Sequence, residues 1–109
     1  MLSIGTVIRL DDVHTGFDHG KLGRPYCVVG TQGDPVHTYL LVPRSTQGTR
    51  STLVPAGVVA GLNLNGRFMN LPHAATPEAV EAAPVAGILG APYFQRVLDN
   101  INFIQFDLD

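Results

Sequence analysis

Five of the seven lysine and arginine side chains in this 109-residue chain fall within residues 21–67: Lys21, Arg24, Arg44, Arg50 and Arg67, opposed there only by Asp34. The compensating charge sits at the two ends. Arg9 stands against Asp11, Asp12 and Asp18, and Arg96 against Glu78, Glu81, Asp99, Asp107 and Asp109, so a formal net charge of −2 conceals a basic middle suited to facing an anion. The other chemically capable residues are scattered. His14 and His19 flank a glycine-containing loop with Asp18 and read as loop residues rather than metal ligands, and His37 and His73 have no assigned role. Cys27 lies inside an apolar run, where a thiol acts as a small core side chain rather than a nucleophile. By residue type alone, Arg24 is a surface or strand-start arginine and Thr46 a turn residue. The chain lacks a phosphate-binding Gly-rich lysine loop, an H-E-x-x-H pair and a nucleophile elbow, and its single cysteine excludes an internal disulfide framework. No cofactor and no metal are expected.

Short periodic segments must position these residues. The stretch "IGTVIRL" alternates as a strand, with Ile4, Thr6 and Ile8 on one face and Val7 on the other. Gly16, Gly20 and Gly23 punctuate the connection to "YCVVG", a second strand that tolerates Pro25 at its start because a missing backbone donor does least damage there. "VHTYLLV" is a third strand, rich in β-branched and aromatic residues. "RSTQGTRST" is turn-like, and "LVPAGVV" is a weaker strand. Asn65-Gly66 between apolar residues predicts a tight hairpin, because both residues tolerate the positive φ of a type I′ turn. The alanine- and proline-rich residues 74–86 predict a connection with a short helix, followed by a brief "AGIL" strand. Phe94, Val97, Leu98 and Ile101 make a helical stripe after Pro92, and "FIQFDL" is a terminal strand candidate.

One domain spanning residues 1–109 is expected from length and an apolar content of 45%, and the periodic segments make it mainly β. No basic leader with a long apolar stretch opens the sequence, and no segment reaches the roughly 18 apolar residues of a membrane span. A soluble cytoplasmic protein without membrane partners is the expectation.

The order of these pieces, an N-terminal strand, a Gly-rich loop, "GRPYCVV", a strand ending "LVPRSTQG", a hairpin and a late "GILG" before a helix, resembles the MazF/PemK/Kid group of bacterial toxin ribonucleases. In that group an arginine-proline pair opens the second main strand and a threonine or serine follows the third, matching Arg24-Pro25 and Ser45-Thr46 here. The resemblance runs loosely over residues 4–101. It implies a small SH3-like β barrel with a C-terminal helix (PemK/Kid/CcdB-like), a homodimer, metal-independent cleavage of single-stranded RNA, and neutralisation by a cognate antitoxin protein. It further implies catalytic roles for Arg24 and Thr46, with Ser45 the alternative hydroxyl, and RNA contacts from Lys21, Arg44, Ser45, Gln47, Arg50 and Arg67. Two alternatives stand beside it: a toxin of the same fold directed at gyrase or another protein, and a non-catalytic SH3-like interaction module.

Overall fold

The computed structural model describes residues 1–17, 19–45 and 51–101. Three strands form its centre: β1 (Thr6–Leu10), β2 (Arg24–Gln32) and β3 (Thr38–Ser45), paired antiparallel in that order. Alternation along each strand sends side chains to two faces, and both are buried. Val7, Cys27, Val29, Leu40 and Val42 enter one apolar cluster; Ile8, Leu10, Tyr26, Val28, Tyr39 and Leu41 enter the other. Burial on both sides explains why "YCVV" and "YLLV" are unbroken apolar runs.

Four shorter strands complete an antiparallel sheet: β4 (Ser51–Val54), β5 (Gly66–Met69), β6 (His73–Ala75) and β7 (Val85–Ile88). The order is β4-β5-β3-β2-β1-β7, with β6 also paired to β3, and the sheet curls into a half barrel. β3 turns this corner because its first half pairs with β6 and its last two residues, Arg44 and Ser45, pair with Phe68 and Arg67 of β5. Two helices close the open faces. Helix α1 (Pro77–Ala82) starts at Thr76, whose hydroxyl caps the Ala79 amide, and buries Val80 in the second cluster. Helix α2 (Tyr93–Asn100) buries Val97 in the first, with Phe94, Leu98 and Ile101 packed beside it, the stripe its sequence predicts. No helix among the described residues is long and apolar enough to cross a membrane.

The tight Asn65-Gly66 hairpin is a correction. β4 and β5 do pair, but Val54 lies opposite Gly66, so residues 55–65 form the connection and Gly66 already belongs to the strand. The glycine serves a different purpose: a Cβ there would collide with the guanidinium of Arg44, which lies across the strand. The Asn65 carboxamide accepts from the Ala56 amide at 2.8 Å and ties the long connection together. The segment "FIQFDL" lies outside the described residues.

Candidate functional site

Where β2 begins and β3 ends, Lys21, Arg24, Pro25, Arg44 and Ser45 line a pocket of about 210 Å³. The register of the sheet creates it. Arg24 pairs with Leu10 and Pro25 with Arg9, while Tyr26 pairs with Pro43, so the Arg24-Pro25 step lies beside the Arg44-Ser45 step.

Arg24 is not a surface arginine. It is 7% exposed, and the cause is Asp12, itself 1% exposed, which lies in a single 3-10 turn (Asp12–His14) after β1. The Arg24 Nε donates to Asp12 Oδ1 at 2.7 Å and Nη2 donates to Oδ2 at 3.1 Å, a two-point ion pair. Nη1 donates to the Arg44 carbonyl at 2.8 Å, so Arg24 also ties β2 to the end of β3. Three of the five guanidinium N–H groups are thereby held; among the described residues, one on each Nη is left without a partner at the edge of the pocket.

Asp12 is equally filled. The Tyr26 hydroxyl donates to Oδ1 at 2.7 Å and the Lys21 amide to Oδ2 at 2.9 Å, so four donors meet one carboxylate. Since a carboxylate only accepts, the Tyr26 proton points to Asp12. Thr15 Oγ1, 2.8 Å from the Tyr26 oxygen and 3.1 Å from the Asp12 carbonyl, shares its single hydrogen between these two acceptors, and it in turn accepts from the Phe17 amide. Burial opposes the Asp12 charge, but the bonds from Arg24, Tyr26 and the Lys21 amide outweigh it and hold its carboxyl below the ordinary value. Burial, with the Asp12 charge assisting, pushes the Tyr26 hydroxyl well up.

The Gly-rich connection is fastened to the same corner. The Asp12 amide donates to the Lys21 carbonyl at 2.9 Å, and the Gly23 amide donates to Asp11 Oδ1 at 2.8 Å. Gly16, Gly20 and Gly23 have φ of 73°, 67° and 60°, which lets the chain reverse within this short span. Phe17 lies under the Arg24 guanidinium, 4.8 Å from Cζ, with His19 and His73 against its ring at centroid distances of 4.3 and 5.2 Å. Burial lowers the pKa of His73, whose ring also bonds to the Thr15 backbone.

Arg44 forms the opposite wall, half-buried, with Nη2 donating to the Leu64 carbonyl. Its pKa is lowered by desolvation and by the nearby charge of Arg9. Arg9 was counted with the acidic N-terminal segment, yet β1 pairing brings it to this basic corner, where its guanidinium donates to the Gly23 and Gly61 carbonyls. Arg67 pairs with Ser45 across β3 and β5 but is not among the pocket residues. Thr46, Gln47 and Arg50 lie outside the described residues. Cys27 is fully buried, with burial alone pushing its thiol to about 12. No group of three or more metal-binding side chains occurs among the described residues.

Sequence reasoning located Lys21, Arg24, Arg44 and Ser45 at this site and missed Asp12 and Arg9. The fixed β1–β2 register carries the missing information: β1 ends at Leu10 opposite Arg24, where β2 begins, which sets the acidic pair Asp11-Asp12 beside the arginine. No protein-family model matches the sequence, and no curated protein matches it.

Proposed function

We propose that this protein is an endoribonuclease of the MazF/PemK/Kid type, an SH3-like barrel acting as the growth-inhibiting toxin of a toxin-antitoxin pair. One observation carries the reading: Lys21, Arg24, Arg44 and Ser45, which the resemblance ties to RNA and its cleavage, line one pocket. Arg24 is balanced by Asp12, so the net positive potential comes from Lys21 and Arg44, with Arg9 nearby. That field attracts an RNA phosphate, and the two remaining Arg24 N–H groups give it direction.

The reaction uses the nucleophile in the substrate. The 2′-hydroxyl oxygen bonds to phosphorus as the bond from phosphorus to the 5′-oxygen breaks, yielding a 2′,3′-cyclic phosphate and a 5′-hydroxyl. The first oxygen loses a proton and the second gains one, so no further reactant is consumed. Negative charge grows on the phosphoryl oxygens in the transition state, and a donor already fixed at that point accelerates the step. Arg24 meets this condition because its ion pair to Asp12 removes most of its freedom. Thr46 supplies a further hydroxyl contact, Gln47, Arg50 and Arg67 extend RNA binding, and the working form is a homodimer neutralised by its antitoxin.

A second reading rests on the same ion pair. A buried arginine held by a two-point ion pair and a carbonyl is also what a purely structural role requires, and the domain is then a non-catalytic interaction module whose basic pocket docks an acidic partner. Incubating the protein with single-stranded RNA and with an otherwise identical strand carrying deoxyribose at the cleaved position, both in chelator, separates the two. Cleavage of the first only is expected. No cleavage of either by folded protein free of antitoxin favours the interaction module, and cleavage of both contradicts 2′-hydroxyl attack.

A further inference from the structure

We propose that Asp12 is the positioning residue of this site, its one carboxylate fixing both the Arg24 guanidinium and the Lys21 segment at the pocket. The proposal rests on the ribonuclease reading and concerns how that site is held in shape. Oδ1 accepts from Arg24 Nε and the Tyr26 hydroxyl; Oδ2 accepts from Arg24 Nη2 and the Lys21 amide. The pocket's two nearest cationic residues in sequence are therefore referenced to atoms of a single buried side chain. Behind it, the Phe17 amide donates to the Thr15 hydroxyl, which bonds to the Tyr26 hydroxyl and to the Asp12 carbonyl, and Tyr26 donates to Oδ1.

This arrangement has consequences that differ from simple support of the fold. Side-on capture of Nε and Nη2 leaves the guanidinium plane no freedom to rotate, so the spare N–H groups keep one direction. An ordinary aspartate beside an arginine would instead quench its usefulness. Here the neutralised arginine supplies geometry, while Lys21 and Arg44 supply net charge. Loosening Asp12 should leave RNA attraction largely intact and damage the chemical step, since misplacement of about 1 Å can cost on the order of 10²-fold in rate.

Asp12→Asn retains the size of the side chain but presents an amide donor to a site that receives four donors. In single-turnover assays of the folded variant, with folded fraction fixed by circular dichroism, the cleavage rate should fall roughly 10²-fold while half-saturating RNA shifts by less than about threefold. The companion experiment uses Arg24→Ala with millimolar guanidinium chloride. Dissolved guanidinium should enter the vacated slot against Asp12 and restore cleavage, and it should fail to do so in the Arg24→Ala, Asp12→Asn double variant. Should Arg24→Ala not fold, Arg24→Lys takes its place: it cannot make the two-point contact, so adding Asp12→Asn to it should cost far less than in the wild type. Wild-type cleavage together with an unchanged rate in folded Asp12→Asn, equal rescue of the single and double variants, or full additivity with Arg24→Lys overturns the proposal alone. Absence of RNA cleavage by the wild type overturns the ribonuclease reading on which it rests.

Discussion

The two faces of the central sheet are built from the same three strands and end differently. On the first face, Val7, Cys27, Leu40, Val42 and Phe68 meet Val97 of α2 in a cluster composed of apolar side chains. On the second, Ile8, Val28, Leu41 and Val80 pack equally closely, but two tyrosines carry hydroxyls into charged groups. Tyr39 donates to Glu81 Oε2 at 2.7 Å and accepts from the Leu2 amide, and Tyr26 donates to Asp12. A polar network continues from Tyr26 through Asp12 to Arg24 and the pocket. The first face needs only complementary shape to be stable; the second adds a bonded network whose every member depends on the others. Function is expected at the end of the face that accepted this dependence.

Breaking each face should give different signatures. Asp12→Ala strands a buried guanidinium and should cost about 3–5 kcal/mol in chemical denaturation. Leu40→Ala, which removes a fully buried side chain from the first face, should cost about 2–5 kcal/mol through its cavity. The comparison sharpens when each variant is assayed below its melting point. Leu40→Ala should retain both anion affinity and cleavage rate; Asp12→Ala should keep most of the affinity, which Lys21 and Arg44 supply, and lose cleavage rate. Equal pocket behaviour in both variants would remove the distinction between the faces.

A smaller effect comes from pH. His73 has a lowered folded pKa, so its contribution is complete above the unfolded value of about 6.5 and is lost as pH falls from there toward the folded value. Asp12 also has a lowered folded pKa, and its contribution is lost in a separate window as pH falls from about 4. Melting temperature should therefore decline in two stages on acidification, and His73→Gln should abolish only the first. A single acid limb unaffected by His73→Gln would contradict the burial assigned to that imidazole.

Gly66→Ala should have the smallest effect on stability, within about 1 kcal/mol, because the atoms its Cβ meets belong to the flexible end of Arg44 and can move aside. Anion affinity should nevertheless fall as Arg44 leaves its wall. Unchanged affinity would show that Arg44 does not need this glycine to reach the pocket.

The two faces also differed in how legible they were. Alternating and continuous apolar runs foretold β1, β2 and β3, and the stripe Phe94, Val97, Leu98 foretold α2, because burial imposes a period that sequence displays directly. Asn65-Gly66 misled because a glycine demanded by close approach of Arg44 has the same letter as one demanded by a turn. At the site, the basic residues stood out by charge. Asp12 did not, since an aspartate in an acidic N-terminal segment resembles solvated charge until pairing of Leu10 with Arg24 brings it against the arginine. By residue type Arg24 reads as a surface or strand-start arginine; its burial against Asp12 makes its loss costly to the fold as well.

Arg44 offers the cleanest access to the central claim, because it is half-buried and carries no paired carboxylate in the described contacts, while its backbone carbonyl still serves Arg24 after truncation. The measurement is mass analysis of the ends released from single-stranded RNA in chelator, with rates for wild type and Arg44→Ala at matched melting temperature. The account predicts 2′,3′-cyclic phosphate and 5′-hydroxyl ends from the wild type and at least about tenfold slower release by Arg44→Ala. Equal rates in the two proteins, or products ending in a 5′-phosphate, would contradict it.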